Sequence, residues 1–164
     1  TLMSAGQNIG LKLCGMHMMD SARIEKGFRH FGHDITSEDH ILEAGLGFAV
    51  KTDKPTFIGR DAVLRKRETG LTKRLVQFKL TDPEPMLYHN EPILRDGEIV
   101  GFLTSGAYGH HLGAAIGMGY VPCAEQSAAD VLASRFEIDV AGTRVPAEVS
   151  LKPMYDPAAE RVKV

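Results

Sequence analysis

Hydrophobic and polar residues alternate through much of the second half of the chain. The stretch KRLVQFKL places Val76, Phe78 and Leu80 on one face, with polar residues between them. A two-residue period of this kind predicts a half-buried β-strand. Further along, PILRDGEIVGFLTSG holds Asp96-Gly97 between two apolar runs. An Asp-Gly step in this setting predicts a β-hairpin with a tight turn.

Further strand-like segments follow toward the end of the chain. AAIGMGYV is an apolar run that indicates another strand, and RFEIDVAGTRVPAEVSL alternates from Phe136, turns at Ala141-Gly142 and alternates again. Five or six short strands in roughly 80 residues predict a small antiparallel β-barrel, because barrel closure leaves no strand edge exposed. We assign this barrel to residues 73–158.

The first half of the chain carries a different pattern. Apolar residues at helical spacing, among them Ile9 and Met16, predict a helix over residues 4–19. The following residues lack that period, and we expect a strand that places Arg23 and Glu25 on one face. The run GLGFAV after them is typical of a buried strand.

A charged helix separates these two halves. The stretch GRDAVLRKRETG predicts a surface helix that ends at Gly70, and we assign residues 56–72 to this connection. Residues 1–55 hold too few elements to bury a core of their own. We therefore expect them to be the remnant of a larger domain docked on the barrel, so that the whole is an α+β fold.

Composition and charge narrow the possible functions. The 164 residues carry a formal net charge of −2, whereas a nucleic-acid-binding domain is usually clearly basic. No apolar run approaches the roughly 20 residues that span a bilayer. Cys14 and Cys123 form no metal-binding or redox spacing, which favours a reduced, cytoplasmic setting, and we expect Cys14 to be buried. The missing initial Met suggests a cut-down or processed piece.

Six segments in register resemble one known family. RIEKGFRHFGHDI, LEAGLGFAVK, FIGRDAVLRK, GEIVGFLTSGAYG, AAIGMGYV and RVPAEVSLKPMYDP are similar to successive parts of the glycine cleavage T-protein family, the folate-dependent aminomethyltransferases. LYHNEPILRDG and LKPMYDP look closest to the carboxy-terminal region of dimethylglycine and sarcosine dehydrogenases. Those enzymes append a T-protein-like half to an FAD-dependent half.

The resemblance implies a fold and a cofactor. It assigns residues 1–55 to the end of a folate-binding aminomethyltransferase domain and residues 73–158 to the carboxy-terminal barrel of the family. The glutamate of the family's RLE motif, associated with the pterin ring of tetrahydrofolate, corresponds to Glu25. A carboxylate suits that role because the edge of a pterin offers two parallel N–H donors. Alternatively, Glu25 pairs with a neighbouring basic residue on a solvated face.

Two further residues are candidates for folate binding. Tyr108 lies in a barrel segment that the resemblance places near the folate entrance. Lys54, or the basic run over residues 60–74, could contact the polyglutamate tail of a cellular folate. For Arg23 and Asp34 we expect a structural role, in which ion pairing and turn capping shape their loop.

Metal binding and a serine nucleophile are weaker interpretations. His30 and His33 have the spacing of a metal-binding pair but no distant third ligand. Ser105 precedes His110-His111, yet the sequence has no nucleophile elbow around it. We therefore predict neither a metal site nor a catalytic residue on this chain.

The sequence supports two hypotheses of different class. In the first, the chain is the carboxy-terminal part of a tetrahydrofolate-dependent enzyme that moves a one-carbon unit from an N-methyl amino acid or a glycine-derived aminomethyl group. The family's acidic residue near the reacting nitrogen and the FAD domain of the dehydrogenases lie outside this chain, so we expect the chain to be inactive alone. In the second, the chain is a non-catalytic barrel module that docks on a partner subunit.

Overall fold

The computed structural model describes residues 1–163 and confirms the predicted α+β fold. Three helices precede residue 72, and all six strands and a fourth helix follow it. The helices are α1 (Leu2–Gly6), α2 (Met16–Glu25), α3 (Arg60–Thr69) and α4 (Ala128–Ala133). The strands are β1 (Lys73–Leu80), β2 (Pro92–Arg95), β3 (Glu98–Gly109), β4 (Ala114–Pro122), β5 (Phe136–Val140) and β6 (Thr143–Ser150).

The six strands form a closed antiparallel barrel in the order β1-β4-β3-β2-β5-β6. The closing seam joins β1 to β6, where Gln77 pairs with Ser150. The predicted hairpin connects β2 and β3, and both Asp96 and Gly97 adopt positive φ there. This left-handed backbone is why the Asp-Gly step marks the turn so clearly in the sequence.

Alternation along β1 separates the barrel interior from its outer surface. Val76, Phe78 and Leu80 are fully buried in the interior core, as their shared face predicts. Leu75 belongs instead to a second, smaller apolar cluster with Ile24 of α2. The outer face of β1 is therefore buried around Leu75, where the end of α2 packs.

Gln77 ties three parts of the molecule together. Its amide nitrogen donates to the backbone oxygen of Ile24 at 2.6 Å, and its amide oxygen accepts from the backbone nitrogen of Met154 at 2.9 Å. Lys26, just after α2, extends the contact through an ion pair with Asp156 at 3.1 Å. The end of α2, the barrel wall and the carboxy-terminal segment thus form one continuous contact.

The first 25 residues differ from the prediction in two ways. The helix expected over residues 4–19 is interrupted, because Gly10 has a left-handed backbone (φ 75°) and Gly15 is extended. The strand expected to carry Arg23 and Glu25 is wrong, since these residues belong to α2. Its buried residues include Ser21 and Glu25, so the helical period is carried partly by polar side chains and does not register as a hydrophobic pattern.

Two smaller expectations are also wrong. GLGFAV is not a buried strand: it contains a single 3-10 turn, Gly47–Ala49, and Phe48 is 83% exposed. A barrel that is already closed offers no free edge with which such a strand could pair. Cys14 is exposed, because it lies in the interrupted stretch before α2, and Cys123 is the buried thiol.

Helix α4 covers one end of the barrel core and was missed in the sequence. Ser127 and Asp130 form a capping box in which each side chain bonds the other residue's backbone nitrogen. Val131 of this helix is fully buried among the interior residues. The signal was present as Ser-x-x-Asp, but the helix is too short to show a period.

The part of the chain that precedes the barrel exposes many large apolar side chains. A single exposed apolar side chain is ordinary, whereas a contiguous patch of them marks an interaction surface. Within residues 1–163, no helix is long and apolar enough to cross a membrane. The exposed residues before the barrel are Leu2, Met3, Ile9, Leu11, Leu13, Met16, Met18, Met19, Phe28, Phe31, Phe48 and Ile58.

Candidate functional site

A cleft of about 600 Å³ opens between α2 and β3. Its size is within the range of small-molecule and cofactor sites. One wall is α2, the other is β3, and a segment of the loop before β2 closes a third side. The lining residues are Met16, His17, Met18, Asp20, Ser21, Arg23, His30, His33, Met86, Leu87, Tyr88, His89, Thr104, Ser105, Gly106, Ala107, Tyr108 and His110.

Tyr108, a predicted folate contact, lies on the wall of this cleft. Its ring is partly exposed and meets the ring of His110 edge-on, with centroids 5.3 Å apart. Its backbone oxygen accepts a hydrogen bond of 2.6 Å from the hydroxyl of Ser21. The strand is thereby fixed to α2 at this point, while the aromatic ring stays free to meet a ligand.

Glu25 lies behind the cleft rather than in it. Its carboxylate is about 2% exposed and accepts hydrogen bonds from the backbone nitrogens of His111 (2.7 Å) and Leu112 (3.1 Å). The other oxygen lies 2.6 Å from Nδ1 of His111. The ring of His111 in turn stacks on Tyr155, with centroids 4.3 Å apart.

The alternative interpretation of Glu25, a pair with a neighbouring basic residue on a solvated face, is not what the structure shows. Both carboxylate oxygens bond the β3–β4 loop, and the pterin contact of Glu25 stays a prediction. Gly109 shows how closely they fit, since a Cβ there would lie 3.1 Å from Oε1 of Glu25. What the observed contacts do is hold the loop that follows Tyr108.

Arg23 and Asp34 form the structural network that the sequence predicts for them. Arg23 Nη1 lies 2.6 Å from Oδ2 of Asp34, which is fully buried. The same carboxylate accepts from the backbone nitrogen of His30 (2.8 Å) and from the hydroxyl of Thr104 (2.6 Å). Arg23 also donates to Ser105 Oγ at 2.8 Å. The loop after α2 is thus fastened to the cleft floor in β3.

Ser105 is therefore part of a structural contact. Its side chain is buried and its hydroxyl accepts from Arg23, with no hydrogen bond to a histidine among residues 1–163. Buried polar groups of this kind are normally paired. Ser105 and Ser21, together with His111, are site residues that sequence reasoning missed as such, because their partners lie more than 80 residues away.

Lys54, another predicted folate contact, lies outside the cleft. Its side chain is exposed, and its backbone oxygen accepts a hydrogen bond from Arg60 Nε at 3.0 Å. Among residues 1–163 its ammonium group has no ion pair with a carboxylate. Its contact with a folate tail therefore stays a prediction.

Histidines make the cleft polar but do not converge on a point. The rings of His30 and His33 lie 4.5 Å apart, and both residues are exposed. No group of three histidine, cysteine or acidic side chains within residues 1–163 is arranged to hold a metal ion. The one acidic side chain of the lining, Asp20, is paired with Arg23 at 3.0 Å.

Two segments, joined by the region around α3, match descriptions of a known family. Residues 1–54 match the GCVT N-terminal domain. Residues 73–156 match the glycine cleavage T-protein C-terminal barrel domain. The second match alone covers about half of the chain and coincides with the closed barrel.

Curated relatives extend the comparison to the whole chain. The 4-methylaminobutanoate oxidase (formaldehyde-forming) of Paenarthrobacter nicotinovorans is 46% identical over 99% of this chain and 19% of its own length. The mitochondrial sarcosine dehydrogenase of Homo sapiens is 36% identical over 99% of this chain and 18% of its own length. The chain thus spans about a fifth of these relatives.

A solved structure shows the same fold. The aminomethyltransferase T of the glycine cleavage system from Bartonella henselae aligns with a TM-score of 0.79 and 24% identity. The alignment covers 96% of this chain and 44% of the other. These matches confirm the resemblance to T-proteins and to the carboxy-terminal regions of the dehydrogenases.

Proposed function

Because this chain belongs to the glycine cleavage T-protein family, we propose that it forms one wall of a tetrahydrofolate site in a longer one-carbon-transfer protein. The longer protein would act on an N-methyl amino acid or a glycine-derived aminomethyl group. Tetrahydrofolate supplies the nitrogen that accepts the one-carbon unit. FAD, where the longer protein uses it, would belong to a part outside this chain.

The observation that carries this proposal is the ring of Tyr108 on the wall of the α2–β3 cleft. The cleft holds about 600 Å³, which is enough for a pterin and part of the group attached to it. Aromatic rings attract one another in offset or edge-to-face arrangements. The partly exposed tyrosine beside His110 therefore offers a surface for the flat pterin.

In this proposal Glu25 holds the loop that borders the cleft. Its three hydrogen bonds hold His111 and Leu112, directly after the Tyr108 strand segment. Carboxylates bound by several N–H groups are strong anchors. A loop fixed in this way keeps the wall of the cleft in place, so that binding does not have to order it first.

In this proposal the cleft decides whether the one-carbon unit reacts with water or with folate. In the longer protein an iminium, formed where FAD takes two electrons from an N-methyl amine, would release formaldehyde and the amine if it met water. A folate nitrogen held beside Tyr108 would supply a competing nucleophile, and the amine would then leave as the second product. A relative named as a formaldehyde-forming oxidase fits the first outcome. A cleft covered by the remainder of the longer protein would exclude water and favour the second. This chain contributes positioning and shielding, and we assign it no catalytic residue.

Titration of the 164-residue chain with tetrahydrofolate tests the proposal. We expect binding that weakens by at least about fivefold in Tyr108→Ala, since an aromatic pair contributes about 1 kcal/mol beyond its buried area. Phe102→Ala, in the same strand but outside the cleft and 56% exposed, is the matched control. Equal binding by both variants would contradict the proposal.

A docking module is the second candidate function. The exposed apolar residues before the barrel favour it, because a partner surface would bury them. Other parts of a longer polypeptide that contains this chain would bury the same surface equally well. Size measurements that show a stable complex with a separately encoded flavoprotein subunit would support the module, and retention of tetrahydrofolate binding by the free chain would favour the cleft.

A further inference from the structure

A second hollow, of about 770 Å³, opens at one end of the barrel, away from the α2–β3 cleft. It lies between the end of α3, the start of β1 and the segment after β4, and it shares no residue with the cleft. Its lining residues are Leu42, Lys66, Arg67, Thr69, Gly70, Leu71, Thr72, Arg74, Cys123, Ala124, Glu125 and Gln126.

Arg74 is the unusual group in this hollow. It lies on the same face of β1 as Val76 and Phe78, whose side chains face the barrel interior. It pairs with Val121 of β4. Its Nε is buried but has no hydrogen-bond partner among residues 1–163, and no carboxylate forms an ion pair with its guanidinium there. A buried donor of a charged group that lacks an acceptor is strongly destabilising, so such groups are rarely left unpaired.

The neighbours of Arg74 do not supply the missing acceptor. The buried thiol of Cys123 lies beside the guanidinium and is a weak acceptor at best. Burial raises the pKa of this thiol, and the guanidinium lowers it only in part, so the sulfur stays neutral. Glu125, the one acidic lining residue, is exposed. Arg74 therefore brings to the lining of the hollow a guanidinium with one donor that has no partner among residues 1–163.

Two more cations line the same space. Lys66 is partly buried and is paired with Glu43 at 2.8 Å. Arg67 is exposed and uses one nitrogen to donate to Thr52 Oγ1 at 2.7 Å. Each keeps further N–H donors, because an ammonium has three and a guanidinium five. The hollow thus combines one unpaired buried donor with a positive rim.

We propose that this hollow binds an oxyanion, a carboxylate or phosphate group, with the Arg74 guanidinium as its main ligand and Lys66 and Arg67 at the rim. A planar guanidinium matches both groups with two parallel hydrogen bonds. The open mouth admits a group carried on a larger small molecule. A phosphate ester and a chain of carboxylates share this chemistry, and two probes tell them apart.

Calorimetric titration with inorganic phosphate and with a γ-linked triglutamate tests the site on the 164-residue chain. Neither probe carries a pterin, so the outcome does not depend on folate binding in the cleft. We expect at least one probe to bind, and Arg74→Gln to weaken that binding by at least tenfold, since hydrogen bonds between charged groups are the stronger kind. Binding of phosphate alone identifies a phosphate site, and binding of triglutamate alone a carboxylate site.

Matched variants separate binding from folding. Arg65→Gln removes a charge from α3, the helix that carries Lys66 and Arg67, at an exposed position that does not line the hollow. The affinity of this variant for the probes should be within about twofold of that of the parent chain. Arg74→Met should remain folded, because it removes a buried donor that has no partner. A bound probe should raise the unfolding temperature of the parent chain but not of Arg74→Met. Equal binding by Arg74→Gln and the parent chain would overturn the proposal. So would the absence of binding of either probe at about 10 mM, a concentration that detects weak ligands.

Discussion

Oε2 of Glu25 lies 2.6 Å from Nδ1 of His111, and the same carboxylate accepts two backbone hydrogen bonds from the β3–β4 loop. A helix residue and a loop more than 80 positions later are joined in this way. The acidic residue of the RIE motif is therefore the anchor of a loop that borders the cleft. Its removal should be felt first in that loop.

Glu25→Ala should lower the free energy of unfolding by about 2–4 kcal/mol, because it leaves the amides of His111 and Leu112 without their charged acceptor. Urea unfolding measures this loss, and hydrogen exchange should show faster exchange at those two amides. Glu148→Ala is the control, since Glu148 is exposed and its pair with Lys79 is long at 3.4 Å. A change in Glu25→Ala no larger than in the control would contradict the anchoring role.

Asp34→Asn should destabilise the protein by about 3 kcal/mol, because Arg23 would lose its buried charged partner. The double variant Arg23→Gln/Asp34→Asn should lose less than the sum of the single variants, with a coupling of about 1–3 kcal/mol. Chemical unfolding of the four proteins gives this coupling. Additive losses would mean that the 2.6 Å pair contributes no interaction of its own.

Ionisation of Glu43 should make the free energy of unfolding depend on pH in the acidic range. Burial would raise the pKa of Glu43, but hydrogen bonds from Lys66 and Thr72 outweigh it and lower the pKa from 4.5 to about 2. A group with a lowered folded pKa stabilises the fold above its unfolded pKa. That stabilisation, on the order of 2–3 kcal/mol, is lost as the pH falls from about 4.5 to about 2.

Glu43→Gln isolates this contribution from other acidic groups. The difference in unfolding free energy between the parent chain and the variant should be largest above pH 5 and should shrink as the pH falls toward 2. Urea unfolding at several pH values measures it. A difference that stays constant across this range would show that ionisation of Glu43 has no part in stability.

Gly106→Ala should disturb the cleft directly. A Cβ at this position would lie 2.7 Å from the backbone nitrogen of Tyr88 and 2.8 Å from two atoms of Leu87, so the loop before β2 must move. We expect a loss of about 1–3 kcal/mol and weaker tetrahydrofolate binding. Gly15→Ala, where a Cβ meets nothing within 4 Å, should have little effect, and equal effects of the two changes would contradict the close contact.

The barrel was readable from the sequence because its information is local. The alternation through Val76, Phe78 and Leu80 and the Asp96-Gly97 turn each specify their own geometry within a few residues. Strand order and the closing seam follow from long-range pairing, and no local pattern reports them. The fold class was thus predicted, whereas the topology had to be observed.

The cleft was less predictable for the same reason. Helix α2 buries Ser21 and Glu25, and these polar residues are satisfied only by partners in the distant barrel. Sequence patterns treat buried polar residues as surface residues, so the helix was taken for a strand. The folate role of Glu25 came from the family resemblance and stays a prediction. The structural role of Arg23 and Asp34 was predicted, since their charges lie in one short motif.

Closure of the barrel also has a consequence for the order in which the molecule assembles. The seam needs β6, the last of the six barrel strands to be synthesised, and Gln77 cannot meet Ser150 until the other five strands have been made. Contacts between such distant residues form slowly. Helix α2 can pack on the barrel only after β1, β3 and β4 are in place. The apolar surface of this helix therefore stays exposed until strands that follow it in the chain have been synthesised. That interval is when a chaperone would be of most use to this protein.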